Sequence, residues 1–210
     1  MSQAAALDTH SHQAHAGLHQ EPAESPLTPE NWGKLGMWIF LAADAMTFGA
    51  AIAAYAALRM DNVNWPDPAQ YLGIAFTALM TFILIVSSLT MVEALSSIKH
   101  GNMPRFQLFL GLTILGGLAF LGMQAREWHE LIWDRGLSIK TSLFSATFFI
   151  LTGFHGCHVT GGVIYNAVHW LRGLAGKMDR SKANLIEIAG LYWHFVDLVW
   201  ILIFTFVYLI

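Results

Sequence analysis

The residues that could do chemistry in this 210-residue sequence are the ionisable side chains that fall inside apolar stretches. Asp44 lies about ten residues into the first such stretch, near mid-bilayer if that stretch is a helix rising about 1.5 Å per residue. His155 and His158 stand three apart in the fourth stretch, and His194 and Asp197 three apart in the fifth. A spacing of three places each pair on one helical face. A lone carboxylate at mid-bilayer costs about 2.5–3.5 kcal/mol on insertion scales, so Asp44 is expected to be protonated or to face a polar partner. Two chemistries suit such groups: a proton relay, or a structural hydrogen bond to a neighbouring helix or subunit. The sequence predicts that the two histidine-bearing faces, or Asp44 with them, meet in an interhelical polar cluster. Glu127 and Glu130 at the outer end of the third stretch, and Glu93 at the inner end of the second, read as interfacial or capping carboxylates.

Ligand spacing narrows the remaining chemistry. His155 and His169 are 14 apart on one expected helix, a spacing that four-helix di-haem cytochromes use on two helices. The fifth stretch offers only His194, with Tyr208 14 residues on. His155-Gly156-Cys157-His158 looks copper-like on paper, but neighbouring positions on a helix project about 100° apart, which takes Cys157 away from His158. A retinal Schiff base needs a lysine at depth, and no apolar stretch has one. No nucleophile–base pair, phosphate loop or zinc motif occurs, so the chain is expected to hold no catalytic centre, metal or cofactor of its own. His10, His12, His15 and His19 near the N-terminus could bind nickel, copper or zinc weakly, or simply be solvated.

The elements that position these residues follow from composition. Apolar residues make up 55% of the chain and charged residues 12%, against about 25% charged in soluble domains, which points to lipid rather than water as the solvent of the surface. A net charge of −3 gives no footprint for nucleic acid. The single cysteine, Cys157, excludes an intrachain disulfide. Residues 1–31 are too poor in apolar side chains to fold alone and are expected to form a disordered, His-rich cytoplasmic tail without a cleavable signal. Beyond it, residues 35–58, 71–98, 106–123 (continuing helically to about 133), 142–170 and 185–210 each approach or exceed the roughly 20 residues a membrane span needs. The fold class expected is therefore all-α, a polytopic bundle of five transmembrane helices over residues 32–210. Glycines at 111, 116, 117 and 122, and at 153, 156, 161 and 162, would let helices approach closely. With the N-terminus inside, seven Lys and Arg fall on the inner side and four on the outer, the orientation the positive-inside rule favours. Trp65, Trp128, Trp133 and Trp170 near span ends are expected in an interfacial aromatic belt.

Three segments carry a resemblance. Thr152-Gly-Phe-His-Gly-Cys-His-Val159 resembles a TGxHGxHV motif, Tyr192-Trp-His-Phe-Val-Asp-Leu-Val-Trp200 resembles a YWHFVDxVW motif, and Gly122-Met-Gln-Ala-Arg-Glu-Trp128 is similar to a third-helix pattern in which a glutamate precedes an aromatic residue. The family is subunit III of the haem-copper terminal oxidases, and the match runs from about Trp32 to Ile210. It implies an accessory, non-redox subunit of a proton-pumping cytochrome c oxidase-type complex in aerobic respiration. Such a subunit stabilises subunit I, binds phospholipid and supports proton uptake, while haem and copper sit in partner subunits. It further implies contacts with subunit II, a small subunit IV and a respiratory supercomplex, in a bacterial cytoplasmic membrane with the C-terminus outside. On this footing Asp44, Glu93, Glu127, His155, His158, Trp193, His194 and Asp197 are the residues expected at buried polar, lipid or subunit contacts.

The chain departs from the mitochondrial form in lacking two helices before the region of Leu35, which makes it similar to the five-helix bacterial form. An aspartate at position 44, where that form has a glutamate, and the His-rich tail are similar to the quinol-oxidase branch. Subunit III of a quinol oxidase or of a nitric oxide reductase therefore stays open. So does a small proton-coupled transporter using Asp44 and the histidines, although no inverted repeat or Gly/Pro-broken helix pair marks one.

Overall fold

The computed structural model describes residues 32–63, 65–66 and 73–210. The expected tail of residues 1–31, with its four histidines, and the first two residues of the second expected span lie outside them. Among the described residues five helices are long and apolar enough to cross a membrane. Helix α1 is Trp32–Asp61 and α2 is Ile74–Lys99. Helix α3 is Met103–His129 and runs on as a π-helical turn, Glu130–Asp134. Helix α4 is Leu143–Leu174. Helix α5, Ala183–Ile203, follows a 3-10 turn at Arg180–Lys182 and ends in a π-helical turn, Phe204–Leu209. The extension of the third span past residue 123 is as the sequence predicts. The first span is longer at both ends than expected, running from Trp32 to Asp61.

Local chemistry sets the helix ends. The Asn102 side chain accepts from the Arg105 N–H at 3.2 Å, with Pro104 in the first turn of α3, where a missing N–H costs nothing. Ser142 and Ser145 form a reciprocal capping box at the start of α4. Gly101 and Gly176 leave α2 and α4 in the left-handed region (φ 75° and 67°), where a side chain would be strained.

Helix α5 is the hub and packs on α1, α2 and α4, while α3 lies between α2 and α4. The core is aromatic: Trp193, Trp200, Tyr208, Phe106, Phe120 and Phe148 are fully enclosed. Trp193 sits in a slot made by two glycines. A Cβ on Gly117 of α3 would stand 2.6 Å from its ring, and one on Gly162 of α4 would stand 2.8 Å from it. Outward-facing positions are occupied by large apolar side chains, among them Phe82, Leu89, Leu115, Ile150 and Leu171. This matches the all-α, five-span membrane bundle read from the sequence. Helix α1 is the least covered and rests mainly on α4 and α5.

Of the four tryptophans expected in an interfacial belt, only Trp133 is largely exposed, at 75%. Trp65 instead packs edge-on to Tyr55 and Phe144, and Trp128 packs edge-on to Phe149. The Trp170 indole donates to the Gln107 carbonyl at 3.0 Å.

Candidate functional site

The polar groups at depth fall into distinct interhelical junctions. The first joins α1 and α4. On α1, Leu41, Asp44, Phe48 and Tyr55 form the inward stripe at helical spacing. Asp44 Oδ2 lies 3.2 Å from His158 Nε2, a close polar approach rather than a well-aligned hydrogen bond. His158 Nδ1 is 2.8 Å from the Phe154 carbonyl, which can only accept, so this nitrogen carries a proton. Nε2 therefore faces Asp44, and a low-dielectric interior favours the states in which such a pair is neutral overall, imidazolium with carboxylate or imidazole with carboxylic acid. The phenyl rings of Phe48 and Phe154 flank His158, and Tyr192 of α5 donates to its main-chain carbonyl at 2.9 Å.

One turn before His158, His155 is wholly enclosed. It stacks on Trp200 with ring centres 5.0 Å apart and meets Phe120 and Phe48 edge-on. Neither of its ring nitrogens has a hydrogen-bond partner among the described residues. Among the described residues no three His, Cys, Asp or Glu side chains converge as a metal site would require. Cys157 is exposed and turned from the core, as helical geometry predicts.

The second junction is the α2–α5 seam. Trp193 Nε1 donates to Ser87 Oγ at 3.0 Å, and Trp200 Nε1 to Thr81 Oγ1 at 3.0 Å. His194 Nδ1 is 3.2 Å from Ser88 Oγ, and Asp197 interacts with the same hydroxyl. Of the expected interhelical cluster, the Asp44 part forms, against His158 of α4, while the two histidine faces do not meet. No hydrogen bond or ion pair joins His155 or His158 to His194 or Asp197 among the described residues, because α5 turns the latter pair toward α2. Trp193, His194, Asp197 and Trp200 thus form a row of donors and acceptors aimed at the hydroxyls of Thr81, Ser87 and Ser88 on α2. Those hydroxyls were the signal passed over in the sequence, hidden within an apolar run.

The third junction centres on Glu127. Read from its position as an interfacial or capping carboxylate, and from the resemblance as a buried polar, lipid or subunit contact, it is buried beneath the π-helical turn of α5. Tyr208 donates to one carboxyl oxygen at 2.9 Å and Thr77 to the other at 3.1 Å. Glu130 stays exposed beside Arg135 at 3.4 Å. Glu93 points outward from α2. At the predicted inner surface Glu187 of α5 holds both Lys34 of α1, at 2.5 Å, and Lys99 of α2, at 3.3 Å. At the opposite end Arg59 of α1 donates to the Ile210 carbonyl. Helices α1 and α5 therefore run parallel, as first and fifth spans must.

Comparison with known proteins places this arrangement. The family described as cytochrome c oxidase subunit III matches residues 28–210. A protein named cytochrome c oxidase subunit 3 from Alkalihalophilus pseudofirmus is 34% identical over 193 residues, covering 92% of this chain and 93% of the relative. One of the same name from Bacillus subtilis is 35% identical, covering 83% and 84%. A cytochrome bo(3) ubiquinol oxidase subunit 3 from Pseudomonas aeruginosa is 36% identical, covering 83% of each.

Proposed function

The chain belongs to the cytochrome c oxidase subunit III family, and from that premise we propose that it is the accessory, non-redox subunit of a haem-copper terminal oxidase, bracing subunit I. One observation carries the reading. Trp193, Trp200 and Tyr208 each donate a hydrogen bond from α5 to a neighbouring helix, and the outer surface along the spans is left apolar for lipid and partner subunits. Such a chain supplies rigidity and surface rather than a reaction. Haem and copper then belong to partner subunits, with subunit I as the main contact and subunit II and a small subunit IV as further ones. The relatives' names include both cytochrome c and ubiquinol oxidases, so the electron donor is set elsewhere in the complex.

The reading carries a location and a proton role. The protein sits in a bacterial cytoplasmic membrane with Lys34, Lys99 and Arg172 at the cytoplasmic face. The Asp44–His158 pair shares a proton within the bundle and steadies α1 during sustained proton uptake by the complex. The test is Asp44→Asn in the intact oxidase. O2 reduction is expected to start at the wild-type rate, with assembly or sustained proton uptake declining afterwards. Abolished initial turnover would contradict an accessory role.

A further inference from the structure

Glu93 is engaged in none of the junctions above. It stands on α2 six residues before Lys99, about 9 Å along the helix axis from that end. Its side chain is exposed on a face otherwise built from Phe82, Val86 and Leu89, and no cation among the described residues lies within ion-pairing distance. A carboxylate on a lipid-facing helix is unfavourable unless a partner meets it, and ionisable groups within spans pair with one another.

A groove of about 380 Å³ between α2 and α3 runs beside it. Its walls are Phe82 and Val86 on one side and Leu112 and Leu115 on the other. Its floor is the closest approach of the two helices, where a Cβ on Gly116 would stand 2.7 Å from Ser87 Cβ. Thr90, at the end nearer Glu93, turns its hydroxyl inward to Thr113 at 2.8 Å, so the groove presents almost no polar surface. An apolar groove deep enough for interdigitating side chains, ending one turn short of an unpaired anion, has the pattern of a helix-packing surface with a charge at one end.

We propose that the α2–α3 face receives a transmembrane helix of another polypeptide of the oxidase complex, carrying a Lys or Arg that pairs with Glu93. The long apolar stem of either residue reaches the depth of Glu93 while its helix fills the groove. The proposal rests on the subunit reading above and adds which face is used and what its partner must carry.

The test uses the whole complex, purified through a tag on this chain. Photo-reactive side chains are introduced at Val86 and Leu115, with Leu198 on the exposed side of α5 as the reference. The expected adduct from Val86 and Leu115 is a membrane-spanning peptide of a partner subunit, with a Lys or Arg within two turns of the cross-linked residue. Glu93→Lys, which replaces attraction by repulsion, should reduce recovery of that polypeptide about tenfold or more, whereas Glu93→Gln, which keeps size and only removes the attraction, should reduce it less. Lipid adducts alone at both positions, or a subunit composition unchanged by Glu93→Lys, would overturn the proposal. Wild-type chain that purifies without haem-containing subunits would overturn the subunit reading itself, so the two failures are distinct.

Discussion

At the scale of single residues, the molecule separates positions with identical sequence appearance. Gly162 and Gly122 are both glycines in apolar spans. A methyl group at 162 would meet the Trp193 ring at 2.8 Å, while one at 122 meets nothing within 4 Å. Gly162→Ala should therefore destabilise the protein by about 1–3 kcal/mol through overpacking, and Gly122→Ala should not. Thermal unfolding of the detergent-solubilised complex, compared across the two variants, checks this. Glu127 makes a second contrast. Glu127→Gln retains an acceptor for Tyr208, whereas Glu127→Leu leaves the buried Tyr208 hydroxyl without one, at a cost of about 1–3 kcal/mol, while Thr77 keeps the Gly73 carbonyl. A Leu variant no less stable than the Gln variant would show that the cluster is not a structural tie. The resemblance placed Glu127 among candidate buried polar contacts, but the sequence did not show what would bury it. Its position near a helix end reads as interfacial, and only the π-helical turn at Phe204–Leu209, which has no strong sequence signal, brings Tyr208 over it.

At the scale of elements, the five helices were legible because lipid demands long apolar runs whose backbone groups bond internally. Which faces meet was legible only in part. His194 and Asp197 were recognisable as a polar face of α5, but their partner is a hydroxyl on α2, and isolated Ser and Thr residues blend into an apolar run. Helix α1 is tied at one end by Glu187 and at the other by Arg59, with Asp44–His158 between. It is also the helix with the least burial inside the chain. Glu187→Gln should loosen its first turns, each lost ion pair contributing about 0.2–1 kcal/mol at a partly exposed site. Hydrogen exchange over residues 32–40 is expected to quicken, most clearly at low ionic strength. Unchanged protection there would mean that lipid or a partner, not Glu187, holds α1.

At the scale of the whole molecule, the bundle differs from a soluble domain at its surface. Its core is aromatic and aliphatic with a few polar ties between helices, and its surface along the spans is apolar as well. That arrangement belongs to a part that is itself embedded in a larger assembly, in keeping with the family. The central claim is that this chain braces a redox complex without carrying its redox centre. The most direct measurement is purification of the tagged chain in mild detergent, with absorption spectra and metal content read on the intact complex and again after this subunit is selectively released. The account predicts haem and copper co-purifying with the chain and then remaining entirely with the other subunits on release. A chain that purifies colourless and alone, or that retains haem or copper after release, would contradict it.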